Sequence, residues 1–366
     1  MTTITLSPVT DWVALGERWR ELETRSDCSF FQSWTWTGCL AEERFSDPVL
    51  LQATRDGRLV AMGLFNRRHD WTAREVLLLG ESGSPGPDAV FIEWNGLLAE
   101  TGTPVALLAD CLTVARTAPI AGRRPRRGRR LVLSGIDAAG LEVAQLVGSD
   151  LFVPRSMAAP FVDLAGLRQA GRPYLAALSA NSRYQIRRSD RLYGALTLRR
   201  ATSREEAFGF LDELASFHQA TWRSRGRPGA FADPYFTRFH RALIGRGFDR
   251  GEIALLRFVS GDQTVGFLYN FEWRGGVLAY QSGFDYPRAG PHQKPGLTCH
   301  HQAIEDASAR GLNCYDFLAG ADRYKRSLAT SEVALHWAEL GGPNWPRRLI
   351  GWLKDRARPV PGSSRS

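Results

Sequence analysis

The sequence predicts a mixed α/β protein in which one plan of helices and twisted sheet occurs twice. Three observations carry this. Runs rich in β-branched and aromatic residues flank tight-turn dipeptides, and amphipathic segments with capping residues lie between them. Both halves of the chain also run in the same order: helices, a hairpin, a further strand, a Gly/Pro loop, a helix and a strand. With 366 residues, 43% of them hydrophobic, the chain is long enough for two domains of ordinary size.

In the first half, Trp12, Leu15, Trp19 and Leu22 recur at helical spacing behind Asp11, a candidate N-cap. A second helix is expected over about 34–43. Two strand-like runs then flank Asp56-Gly57, a strong hairpin signal. Residues 74–82 (REVLLLGES) read as another strand and GSPGPD as a loop. Pro104 is expected at the first position of a helix reaching about Ala115. Residues 121–130 hold six arginines ahead of the strand RLVLSGI. They read as an exposed loop, with an anion-binding patch as the sharper alternative.

In the second half, SRYQIRRSDRLYG reads as a helix. Ser203 or Thr202 caps a long one, and Glu206 completes a capping-box pattern from Ser203. A helix over about 234–244 is followed by GEIALLRFV, TVGFLYNFEW and VLAYQSGFD as strands joined by tight turns. The loop YPRAGPHQKPG leads into the helix LTCHHQAIEDASARG. NCYDFLAG and SEVALHWAEL read as the last strands. The predicted division is 1–165, 166–345, and a segment 346–366. That segment combines a basic amphipathic helix, expected either to cover a core or to touch a membrane surface, with a polar tail.

Composition narrows the class. Eleven Trp and nineteen Phe argue against disorder. No apolar run approaches the roughly 18–20 residues of a membrane span, and the N-terminus does not read as a signal peptide, so a cytoplasmic location is expected. The five cysteines form no CxxC pair and read as buried free thiols. His292 and the pair His300-His301 show no metal-ligand spacing, so no metal is expected. The net charge of +9 suits a phosphate-rich partner without choosing one.

The stretch 278–326 carries the chemistry. A strand ending at Ser282-Gly283-Phe284-Asp285 is followed by a loop that delivers Gln293-Lys294-Pro295-Gly296-Leu297-Thr298 onto a helix start. Free N–H groups and the positive dipole end there form a candidate pyrophosphate cradle beside Lys294. Gly296 admits close approach of a ligand to the main chain. A Pro-Gly turn that merely starts a helix is the plain alternative. Arg183 and Arg187, one turn apart, are a candidate clamp for a phosphate or sugar-nucleotide, or else a solvated basic face. His218 shares a helix face with Leu211, Leu214 and Trp222 and reads as a core histidine before a base. Asp285 is a proton acceptor or a loop cap.

Gln293-x-x-Gly296-x-Thr298 resembles the acetyl-CoA motif Q/R-x-x-G-x-G/A of the GNAT superfamily, with Thr298 standing where Gly or Ala is usual. Residues 315–325, YDFLAGADRYK, resemble the D-F-L-x-G-x-x-x-Y-K signature of CelD/BcsL-type proteins. These are GNAT-like acetyltransferases associated with bacterial cellulose and other polysaccharide synthesis. The layout also resembles the Fem-type peptidoglycan aminoacyltransferases. The resemblance implies tandem GNAT-like domains with the acyl donor, acetyl-CoA or another acyl-CoA, in the second. It implies a thioester held between splayed strands at about 278–284 and 313–318. An amine or hydroxyl of a sugar, polysaccharide precursor or small metabolite would attack it directly. It further implies Asp316 as base or acceptor-orienting carboxylate, with a structural aspartate bonded to backbone N–H groups as the equal alternative, and Lys325 as electrostatic stabiliser in place of a surface cation; Tyr324 is a candidate acid that reads first as a half-buried packing tyrosine. His218, Trp222, Arg183, Arg187 and Asp285 would fall on the acceptor side. The alternatives are a Fem-like transferase using aminoacyl-tRNA, the one reading that brings in a nucleic acid, and a non-catalytic binding protein of the same fold.

Overall fold

The computed structural model describes residues 1–125, 128–320 and 322–341; Arg126, Arg127, Ala321 and the predicted segment 346–366 lie outside the described residues. One 13-stranded sheet runs through the molecule. Its strands are β1 (Thr2–Pro8), β2 (Pro48–Arg55), β3 (Arg58–His69), β4 (Glu75–Leu79), β5 (Leu98–Ala99), β6 (Arg130–Ile136), β7 (Phe152–Asp163), β8 (Leu196–Arg200), β9 (Ile253–Ser260), β10 (Gln263–Trp273), β11 (Gly276–Phe284), β12 (Cys314–Asp316) and β13 (Ser331–Leu340). The order is β1-β2-β3-β4-β6-β13-β7-β12-β11-β10-β9-β8, with the short β5 beside β3.

Two pairs are parallel, β4 with β6 and β11 with β12, and each sits after a run of antiparallel strands in its own half. The doubled plan read from the sequence is therefore present in the sheet. The last strand of each half is exchanged. β7 pairs with β12 of the second half, and β13 pairs with β6 of the first, while β7 and β13 pair with each other at the centre. No sequence signal identified β7, β1 or β8.

The local signals act where physical chemistry requires. Asp56 and Gly57 both take positive φ, 51° and 79°, the geometry of a type I′ hairpin turn between β2 and β3. Arg274 and Gly275, at 49° and 77°, repeat it between β10 and β11. Asp11 accepts from the Ala14 N–H at 2.9 Å and caps Trp12–Glu23. Ser203 accepts from Glu206 N–H at 3.1 Å, but the Glu206 carboxylate reaches Thr202 N–H at 2.7 Å instead of closing the capping box on Ser203.

Some expectations need correction. The helix expected over 34–43 is two turns, Trp34–Thr37 and Ala41–Arg44, broken where Leu40 turns left-handed at φ 47°. Pro104 is the N-cap of Val105–Thr117, one place earlier than expected. NCYDFLAG is a strand only over Cys314–Asp316, because Leu318 takes φ 61° and leaves the ladder. Arg129 and Arg130 are not in an exposed loop: both are buried, and Arg129 Nε pairs with Glu75 at 2.5 Å.

The halves share a core. Phe30, Phe31 and Trp36 of the first half pack with Phe239, Phe271 and Tyr280 of the second, and the Phe30 and Phe271 rings stack with centroids 4.2 Å apart. Each such ring contributes about 1.5–3 kcal/mol on full burial. No helix among the described residues is long and apolar enough to cross a membrane.

Candidate active site

The site begins with a strand that parts from its neighbour. β11 pairs with β12 only at Gly276, Val277 and Leu278. Against β10, Tyr269 lies opposite Gln281 and Asn270 opposite Ala279, so Tyr280 is an extra residue in β11. Such a bulge bends and twists its strand. Residues 279–284 therefore leave β12 and form one wall of a cavity of about 800 Å³.

The helix Pro295–Ala309 points its start at this cavity. Pro295 has no N–H, and Thr298 N–H is taken by the Lys294 carbonyl at 3.1 Å. The N–H groups of Gly296 and Leu297 have no partner among the described residues, and both residues line the cavity. Ser189, buried on the helix Ala180–Tyr193, fixes the approach: its hydroxyl accepts from Lys294 N–H at 2.8 Å and bonds the Thr298 hydroxyl at 2.8 Å. Thr298 thus turns its side chain into the protein, off the cavity wall, and the bulk absent from Gly or Ala does not obstruct a ligand. Pro295 is likewise buried off the wall. The Gln293 amide ties the loop, accepting from Gly290 N–H at 2.6 Å and donating to the Leu192 carbonyl at 3.1 Å.

Of the other predicted residues, Ser282, Gly283, Phe284, Gln293 and Lys294 line the cavity, as do His218, Trp222, Tyr324 and Lys325. Gly283 has a further reason to be glycine: a Cβ there would collide with the Leu214 carbonyl where the helix Arg204–Ser224 crosses β11. His218 accepts from Ala230 N–H through Nε2 at 3.3 Å, which leaves Nδ1 to donate to the Ser282 carbonyl at 3.2 Å. Burial lowers its pKa. Both ring nitrogens are committed, so His218 braces β11.

Arg183, Arg187 and Asp285 also stand away from the wall. Arg183 donates to the Leu178 carbonyl at 2.6 Å and Arg187 is exposed, so the helix turns Asn181, Ser182 and Gln185 to the cavity instead of an arginine clamp. Asp285 is buried beside Arg288 at 3.6 Å. The charged residues that do line the cavity are Arg225, Lys294, Arg323, Lys325 and Asp322, an excess of positive charge.

Beneath the wall lies a buried charge cluster that draws on both halves. Lys325 Nζ donates to the carbonyls of Leu318 and Ala319 at 3.2 and 2.9 Å, leaving the third of its three donors. Burial lowers its pKa, opposed by the charges of Glu93, Asp322 and Asp316. Asp316, 5% exposed, accepts from Leu318 N–H at 2.6 Å; burial pushes it up to about 6. Glu93, from the first half, accepts from Ala319 N–H at 2.7 Å and is pushed up to about 7, again by burial. Sequence reasoning missed Glu93, Arg225 and His300; Glu93 lies between two residues of positive φ, Phe91 and Trp94, a backbone geometry that their residue types do not signal. Among the described residues no group of three or more His, Cys, Asp or Glu is placed to hold a metal ion.

Glu93 makes a pH prediction. Its folded pKa is raised above the ordinary carboxylate value of about 4.3. Its contribution to stability is therefore full below that value and is lost as pH rises through about 7. Glu93→Gln, which can still accept from Ala319 N–H, is expected to flatten the fall in stability between about pH 5 and pH 8, read from urea midpoints. Equal slopes in both proteins would remove Glu93 from this role.

A family model described as acetyltransferase (GNAT) domain matches residues 178–326, a span that contains every cavity-lining residue but Ser327. Among curated proteins none matches the chain. Among solved structures, FemX is similar at TM-score 0.59 and 9% identity, covering 95% of this chain and 100% of its own. The C-terminal domain of a putative lysylphosphatidylglycerol synthetase from Agrobacterium fabrum is similar at 0.56 and 11%, covering 96% and 100%. L-PGS from Bacillus licheniformis is similar at 0.51 and 11%, covering 94% and 97%. Residues 178–326 thus resemble an acetyltransferase (GNAT) domain, and nearly the whole chain shares its fold with FemX.

Proposed function

We propose that this protein is an acyltransferase that takes its acyl group from a CoA thioester and passes it to an amine or hydroxyl of a sugar, polysaccharide precursor or small metabolite. One observation carries the reading: β11 parts from β12 beside a helix start where Gly296 and Leu297, whose N–H groups have no partner among the described residues, line the same cavity. Gly296 and Leu297 would bind the pyrophosphate, with Lys294 and Arg225 adding charge. The freed edge of β11 offers the pantetheine arm a strand to pair with. The acceptor attacks the thioester carbonyl carbon and the C–S bond breaks. Tyr324 gives its phenolic proton to the departing thiolate and takes the acceptor's proton in return. Lys325 steadies the oxyanion, and Asp316 acts from beneath the wall as a positioning residue. The resemblance of residues 315–325 to the CelD/BcsL signature supports a sugar acceptor.

A second reading, an aminoacyl group delivered from aminoacyl-tRNA, is favoured by the likeness to FemX along nearly the whole chain and by the cationic cavity. Calorimetry with acetyl-CoA separates the two. A Cβ at Gly296 already comes within 3.3 Å of Phe284 and the Tyr286 hydroxyl, so Gly296→Trp must push its indole into the cavity. Binding by wild type that is lost in Gly296→Trp is the expected result. No binding at millimolar donor, or equal binding by the variant, would sink the CoA reading.

A further inference from the structure

His300 lines the cavity, is 2% exposed, and its ring stacks on Tyr324 with centroids 5.6 Å apart. Its Nδ1 lies 3.0 Å from the Tyr315 hydroxyl, while Nε2 has no partner among the described residues. A buried polar atom left unpaired is costly, and in a residue that lines a cavity it is a candidate partner for a ligand atom.

The proton on the ring can be placed from its neighbours. The Tyr315 hydroxyl bonds His300 Nδ1, and of that pair the phenol is the stronger acid and the imidazole nitrogen the stronger base. Tyr315 then has its own proton to give, and the acceptor within reach is His300 Nδ1. An imidazole that accepts at Nδ1 carries its proton at Nε2. Burial, with the charge of Lys325 beside it, keeps the ring from taking a second proton. It is a fixed, uncharged donor.

We infer that His300 presents Nε2–H to the carbonyl oxygen of the bound thioester and holds the negative charge that gathers there when the acceptor attacks. This rests on the acyltransferase reading above. As the acceptor's lone pair bonds to the carbonyl carbon, the C=O pair moves onto oxygen. His300 donates a hydrogen bond to that oxygen and keeps its proton; as C–S breaks, the pair returns. The Tyr315–His300 hydrogen bond fixes the orientation of the donor in advance, and Lys325 completes the pair of groups that meet the oxyanion.

Two measurements test this. Long-range 15N NMR on the free protein, with His300→Phe to assign the ring, should show the neutral Nε2–H tautomer; the Nδ1–H tautomer or an imidazolium at neutral pH would overturn the inference. Infrared difference spectra of bound carbonyl-13C acetyl-CoA should show the carbonyl stretch lowered in wild type and returned towards its free value in His300→Phe. Turnover should fall about 100-fold, well beyond any loss of donor affinity. His300→Gln, which can place an amide N–H near the same point, should recover part of both. Tyr315→Phe should let the Nδ1–H tautomer appear and lower turnover, which keeps the test alive if His300→Phe folds poorly. Wild type that binds acetyl-CoA with the same carbonyl frequency as the variants overturns the role of His300 alone. Wild type that does not bind acetyl-CoA overturns the CoA reading and this inference with it.

Discussion

Lys325→Met should lower turnover by about 1,000-fold while leaving acetyl-CoA affinity near that of wild type. The ammonium spends two donors on the Leu318 and Ala319 carbonyls and lines the cavity with the third. Charge that develops only during attack is met by a group already held in place, so the loss falls on turnover and not on ground-state binding. Met keeps much of the apolar stem that packs beneath Gly320 and removes the charge. The two carbonyls it abandons sit in the turn that Leu318 makes in the left-handed region, so some stability will go as well. Single-turnover kinetics on material shown to be folded by near-UV circular dichroism separates the two effects. Turnover within fivefold of wild type would return Lys325 to a purely structural part.

Gly283→Ala should be the most destabilising single-methyl change near the site, costing about 3 kcal/mol and read as a lower urea midpoint at unchanged slope. The added carbon meets main chain, the Leu214 carbonyl of the crossing helix, which cannot rotate away as a side chain would. Helix and strand must separate, and the His218 bond to the Ser282 carbonyl bridges the same gap. Donor binding should therefore weaken together with stability. A variant as stable as wild type would show that the crossing relaxes without cost.

Residues whose partners lie a few places along the chain were legible. Asp11, Ser203, Asp56-Gly57 and the Gly296 helix start each act through local hydrogen bonds or φ angles, and each stands where the spacing placed it. Residues whose meaning depends on distant partners were not. Gly283 reads only as part of a strand end until the Leu214 helix is seen across it. Thr298 reads as an obstruction until Ser189 is found to hold its hydroxyl. The Arg183 and Arg187 pair has the spacing of a clamp, but rotation of the helix about its axis, set by Ile186 and Ser189 facing inwards, decides what the cavity receives. Glu93 and Ala319 come from different halves, and no local pattern joins them.

The exchange of β7 and β13 has a consequence for synthesis on the ribosome. β6 and β7 are made early, yet the strand that lies between them, β13, is among the last parts of the described chain to be translated. Until then the first half offers two unpaired strand edges, the kind of surface that recruits other chains. Nascent chains halted before Ser331 should bind holdase chaperones and resist neither protease nor aggregation, and release of the final strand should close the sheet in one late, order-independent step. Codon-level slowing ahead of that point would lengthen the exposed interval, and yield in a cell should follow translation speed there more closely than it follows the equilibrium stability of the finished protein.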